Sequence, residues 1–125
     1  MTVLDILEQD YQHFPKNQTF EIYGANVFFK DPLNEFRGVD RYKKMIGFLD
    51  QWFGNIQLTL HQIYRQEATI RTDWTLCMTC PLPWQPRLKI SGYSLLELDE
   101  QELVISHIDY WHDAPLKVLG QVFRF

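Results

Sequence analysis

The sequence predicts an α+β domain in which helices lie against one face of an antiparallel meander sheet. Two observations predict it. Apolar residues recur at helical spacing up to Phe53, after which the period falls from 3.6 to two. Four strand-like runs then follow one another with short connections, the arrangement that packs helices on one face of a sheet. At 125 residues the chain suits a single domain spanning 1–125.

Each element has a local reason. Thr2 with Asp5 forms a capping-box pattern, with Asp in place of the usual Glu. Val3, Leu7, Tyr11 and Phe14 then follow at helical spacing until Pro15 stops the helix. The polar stretch Lys16–Gly24, with Phe20 and Tyr23 inside it, reads as a short helical turn. Val27, Phe29 and Asp31 alternate on one strand face, and Asp31-Pro32-Leu33-Asn34 is a turn, because proline presets φ and aspartate accepts local backbone N–H groups. Gly38 and Asp40 introduce a second helix with the stripe Tyr42, Met45, Ile46, Leu49 and Phe53, and Gly54 suits its C′ position. The strands are Ile56–Gln66, Thr69–Thr79, Arg87–Leu98 and Leu103–His112, linked by Glu67-Ala68, the proline-rich Cys80–Pro86 and the acidic Asp99–Glu102. Asp113 as N-cap and Pro115 in the first turn open a short C-terminal helix with Leu116, Leu119 and Phe123 inward.

Composition narrows the function classes. A net charge of −4 without a basic stripe argues against a nucleic-acid partner. Acidic residues interrupt the first ten positions, so they read neither as a secretory signal nor as a transit peptide. No apolar run reaches the roughly 18 residues of a membrane helix, and the expectation is a cytoplasmic protein without a membrane partner. Cys77 and Cys80 form a C-x-x-C, but residues three apart in a strand lie about 10 Å apart, so they are expected to be ordinary reduced cysteines. No cofactor motif is present, and Asp31, His107 and Asp109 lack the spacing of a metal site. The 19 aromatic residues (15%) imply either an aromatic core or a hollow lined with rings.

Strand register decides between these. If Leu98 opposes Leu103 across the acidic turn, Leu96 meets Ile105, Ser94 meets His107 and Gly92 meets Asp109; further out, Tyr64 meets Ile70, Leu60 meets Trp74 and Leu58 meets Leu76. The inner face then carries Leu103, Ile105, Trp74 and Trp111 among aliphatic residues, with His107 and Asp109 embedded in it. A buried polar group without a partner costs about 1–3 kcal/mol, so these two positions call for a function. Small Gly92 and Ser94 opposite them leave space for a pocket. Thr59, His61, Ile63, Arg71, Asp73 and Thr75 fall on the outer face, whose centre, at Tyr93, Leu95, Ile108 and Tyr110, is too apolar for free solvent; a homodimer through this face is expected.

The N-terminal helix, the segment Val27-Phe28-Phe29-Lys30-Asp31-Pro32 with Gly38 after it, and the final strand Ser106-His107-Ile108-Asp109-Tyr110-Trp111-His112-Asp113 together resemble the nuclear transport factor 2-like superfamily. That group includes ketosteroid isomerases, scytalone dehydratase and polyketide cyclases. Phe28–Gly38, Thr69–Met78 with Pro81-Leu82-Pro83-Trp84, and Ser106–Asp113 are most similar to an uncharacterised family of cyanobacteria and plastids. The resemblance implies a cone: a curved sheet wrapped on the helices, with an internal pocket and dimers through the sheet. It also implies that Asp31 stands where the isomerases carry a general base, while Ser94 falls near their acidic oxyanion donor and cannot replace it, so steroid isomerisation is not implied.

The candidate site follows. Asp31, His107 and Asp109 are the candidate catalytic groups, with Asp109 orienting and charging the His107 imidazole; the bland alternatives are a structural pair and a turn-capping aspartate. Tyr11, Trp74, Gly92, Ser94 and Trp111 are candidate ligand contacts. The leading expectation is a pocket for a small apolar ligand. The alternatives are an acid/base enzyme of the isomerase, dehydratase or cyclase kind and an adaptor that uses the outer sheet or the Trp84 loop.

Overall fold

Thr2 starts the first helix as its sequence requires. Its hydroxyl accepts the Asp5 N–H (3.2 Å), the Asp5 carboxylate accepts the Thr2 N–H (3.2 Å), and α1 runs Val3–His13. The computed structural model describes residues 1–123; Arg124 and Phe125, the end of the expected domain 1–125, lie outside the described residues. A 3-10 turn at Phe20–Ile22 leads into β1 (Tyr23–Lys30). The Asp31–Asn34 turn is followed by a strand that the alternation did not reveal, β2 (Glu35–Arg37), too short to show a period. Gly38 then caps α2 (Val39–Trp52) at φ 110°, a backbone conformation that glycine alone adopts without strain.

The meander strands fall within two residues of their expected limits: β3 (Gly54–Gln66), β4 (Thr69–Thr79), β5 (Arg87–Leu98) and β6 (Val104–Trp111). The sheet is not a pure antiparallel meander. Its order is β2-β1-β6-β5-β4-β3, and β1 lies parallel to β6. No turn connects those two strands, so nothing local in the sequence announces their pairing.

Bulges at Ile105 and His61 reset the register of the expected pairs. Glu97 pairs with Ser106 but Leu98 pairs with Val104, so Ile105 is an extra residue. Val104 is thereby turned fully inward and Ile105 is left 42% exposed, which corrects the expected inward Leu103 and Ile105. The facing pairs are Leu96–His107, Ser94–Asp109 and Gly92–Trp111, each two residues from the expected register. A displacement of two keeps every side chain on its face, so His107 and Asp109 still point inward. In β3, His61 is extra between the Leu60–Trp74 and Gln62–Asp73 pairs. Ile63 consequently joins the core rather than the outer face, and Tyr64 pairs with Arg71 instead of Ile70.

α3 (Pro115–Gly120) begins one residue later than expected, with Ala114 rather than Asp113 at its N-cap. Val118 becomes the buried contact, with half-buried Val122 beside it, while Leu116 and Phe123 face solvent. Cys77 and Cys80 are free thiols, Cys80 within the core.

Among the described residues, the core is built from three clusters. Val3, Leu7, Ile22, Val27, Ile70, Leu96, Leu98 and Val104 fill one end. Trp74, Met78, Cys80, Leu88, Ile90 and Val118 form one wall toward the other end, and Phe29, Tyr42 and Ile46 form the wall opposite. Among the described residues, no helix is long and apolar enough to cross a membrane.

Candidate functional site

Between these walls the sheet and helices enclose a cavity of about 400 Å³. Rings supply much of its lining: Tyr11 and Phe14 from the end of α1, Tyr23 and Phe29 from β1, Tyr42 and Phe48 from α2, Phe53 beyond it, Trp74 from β4 and Trp111 from β6. The hollow alternative to a filled aromatic core is therefore the observed one. Its expected cause is corrected. Gly92 does not line the cavity; a Cβ there would collide with the Tyr110 carbonyl oxygen, so glycine is needed for the close approach of β5 to β6.

A polar relay crosses the apolar lining. The Trp74 Nε1–H donates to Ser94 Oγ (2.8 Å), and the Ser94 hydroxyl donates to Asp109 Oδ1 (2.5 Å). The same Oδ1 lies 2.8 Å from His107 Nε2. Since a carboxylate only accepts, the proton between them sits on Nε2. The i, i+2 spacing on one strand face brings imidazole and carboxylate together, as the sequence implied.

His107 is 6% exposed, and its Nδ1 has no hydrogen-bond partner among the described residues. Its ring is held by Phe29, Tyr42 and Tyr23, at centroid distances of 5.2, 5.7 and 6.4 Å. Tyr23 and Tyr42 were not among the expected site residues. Tyr42 stands in the α2 apolar stripe, where a tyrosine reads as core. The signal for Tyr23 lay in the parallel β1–β6 pairing, which sequence spacing does not display. Burial raises the phenols of Tyr11, Tyr23 and Tyr42 above the usual tyrosine range, and the Asp109 charge adds to this, so all three stay neutral hydroxyls. Tyr11 Oη lies 2.8 Å from Thr72 Oγ1, which ties α1 to β4 at the floor of the hollow.

Asp31 lines the cavity near exposed Leu33 and Asn34. Its Oδ1 accepts the backbone N–H groups of Leu33 (2.8 Å) and Asn34 (2.7 Å), and the Asn34 side-chain amide reaches both oxygens (3.1 and 3.2 Å). Burial still lifts its carboxyl above the ordinary aspartate range. The structure thus brings Tyr11, Asp31, Trp74, Ser94, His107, Asp109 and Trp111 around one hollow and leaves Gly92 out of it. Among the described residues, no group of three His, Cys, Asp or Glu side chains could hold a metal ion.

The outer sheet face carries Tyr93 stacked on Tyr110 (4.9 Å), with the Arg71 guanidinium over Tyr93 (4.1 Å) and Leu95 paired with Ile108 beside them. His61 is also on this side, bonded to Thr75 (2.8 Å). Trp84 folds back from its loop and donates Nε1–H to the Val122 carbonyl (2.6 Å).

With this geometry in hand, the comparisons with known proteins bear on the fold. A family model described as "Uncharacterized conserved protein (DUF2358)" matches residues 1–107. No curated protein matches the chain. Among solved structures, a putative polyketide cyclase from a Silicibacter species has a TM-score of 0.77 at 14% identity, covering 96% of this chain and 94% of that one. An LEH-like epoxide hydrolase of M. tuberculosis has a TM-score of 0.74 at 14% identity, covering 97% and 89%. An NTF2-like protein of unknown function from an Exiguobacterium species has a TM-score of 0.68 at 13% identity, covering 89% and 95%. At such identities the likeness establishes the fold, which is the NTF2-like cone, and not an activity.

Proposed function

The chain belongs to the DUF2358 family, and we propose that its cavity binds a small, mostly apolar molecule, with Asp109, His107 and Ser94 as the polar contacts and Tyr11, Trp74 and Trp111 as walls. The observation that carries this reading is the His107 Nδ1, buried and unpartnered inside an otherwise ring-lined hollow. Leaving such an atom unpaired costs about 1–3 kcal/mol, and an aliphatic residue would avoid it. A ligand with one polar group meets the pair at Asp109, whose side chain is 20% exposed. Native mass spectrometry of the freshly purified protein tests the proposal. A retained small molecule is expected, and it should be lost in Met45→Trp, which fills the hollow from α2. A protein that neither retains nor takes up any apolar molecule would overturn it.

A second reading rests on the 2.8 Å His107–Asp109 contact: an acid/base enzyme in which His107 moves a proton and Asp109 orients it. Some NTF2-like relatives are named for hydrolase or cyclase activity, which supports this as a class of chemistry. Asp31 is the weaker base on this reading, because the turn holds its oxygens. The retained molecule, returned to the protein in D2O, should gain deuterium with wild type and not with His107→Ala. The outer face around Tyr93, Leu95, Ile108 and Tyr110 is proposed to pair two copies, and Tyr110→Glu should then convert a sedimenting dimer to monomer.

A further inference from the structure

We propose that the molecule taken by this cavity is a cation with an apolar body, a lipophilic amine, seated with its ammonium group at Asp109 and its hydrocarbon part against the rings. The inference rests on the cavity being a binding site and adds the ligand's charge class.

Among the described residues, the lining carries two carboxylates, Asp31 and Asp109, and neither Lys nor Arg. His107, when protonated, balances at most one of the two. The hollow therefore stays acidic, and an anion would be both desolvated and repelled inside it.

The relay has a direction. Trp74 donates to Ser94, and Ser94 and His107 both donate to Asp109, all through Oδ1. Those donors are spent within the protein. No donor among the described residues reaches Asp109 Oδ2, and in the neutral imidazole the buried Nδ1 holds a lone pair. What the relay leaves open to a ligand is thus the Asp109 Oδ2 acceptor, on a side chain that is 20% exposed, and a ligand complements it by donating. An ammonium group donates and also supplies the missing positive charge. An alcohol donates without it, and a carboxylate does neither. The rings add a cation-specific attraction, because the faces of Trp and Tyr carry negative potential. Burial is the main cause of the raised phenols of Tyr11, Tyr23 and Tyr42, and the Asp109 charge adds to each of them.

Calorimetric titration of the full chain at neutral pH with octylamine, 1-octanol and octanoate tests the charge class at constant chain length. Octylammonium is expected to bind about tenfold tighter than octanol, a difference of about 1.4 kcal/mol, with octanoate weakest. Asp109→Asn should bring octylammonium down to the level of octanol. Should that variant fail to fold, Asp31→Asn removes the other charge while keeping a turn acceptor, and it should also narrow the preference. Octanol or octanoate binding as tightly as octylammonium, and displaced in Met45→Trp, would overturn the cation inference and leave the pocket reading standing. If none of the three binds and no mass is retained, both fall.

Discussion

The two ends of the same sheet face are built differently. At one end Ile70, Leu96 and Val104 are fully buried within a cluster of aliphatic side chains from α1, β1 and the meander. At the other end rings from α1, β1, α2 and two strands face one another across about 400 Å³ of space. Aliphatic side chains interdigitate to crystal-like density. Rings held by separate elements of a cone instead line the space between them. The polar residues mark the boundary: Thr72, Ser94 and His107 are all buried, His107 pairs with Leu96, and Thr72 and Ser94, paired with each other, lie two positions along their strands from Ile70 and Leu96. The contrast teaches that one end carries stability and the other is free to carry function.

The largest expected effect tests that division directly. Leu96→Ala, at the filled end, should cost about 2–5 kcal/mol in urea unfolding, since it opens a new void. The same change at Leu58, which already borders the hollow, should cost about 1 kcal/mol. Equal losses would erase the distinction between the two ends. Next, Gly92→Ala should cost about 1–3 kcal/mol through its clash with the Tyr110 carbonyl, without filling the cavity. A stable variant that lost ligand would return Gly92 to the pocket. Ser94→Ala removes the acceptor of Trp74 and one donor to Asp109; about 1 kcal/mol should be lost and Trp74 emission should shift.

The smallest effect lies at the mouth. Burial raises the Asp31 carboxyl in the folded chain, so the folded state holds its proton more tightly than the unfolded one does. Stability should therefore fall as pH rises through the interval just above 3.8, the ordinary aspartate value. Asp31→Asn keeps an oxygen for the Leu33 and Asn34 N–H groups and should flatten that slope in pH-dependent melts. An unchanged slope would show that the carboxyl is already solvated.

Much of this molecule was legible in its residues because the signals were local. The Thr2–Asp5 cap, the α2 stripe and the four strand runs each depend on neighbours within a few positions, and all of them formed where expected. The inward pair His107 and Asp109 was legible for the same reason, since alternation alone puts them on one face. The causes assigned to them were not. By size alone Gly92 and Ser94 look like space-makers, whereas Ser94 is a relay between Trp74 and Asp109 and Gly92 relieves a backbone clash.

By itself the sequence determined the element types, their order, the inward parity of the last strand and the surplus of rings that had to go somewhere. Only the tertiary structure decided the rest. It set the parallel seat of β1 beside β6, the bulges at His61 and Ile105, the ring cage around His107 and the turn that occupies Asp31. The physical reason is range. Caps, stripes and alternation are selected by energies between residues close in the chain, while pairing across the whole meander, bulge placement and an open cavity follow from how distant surfaces meet.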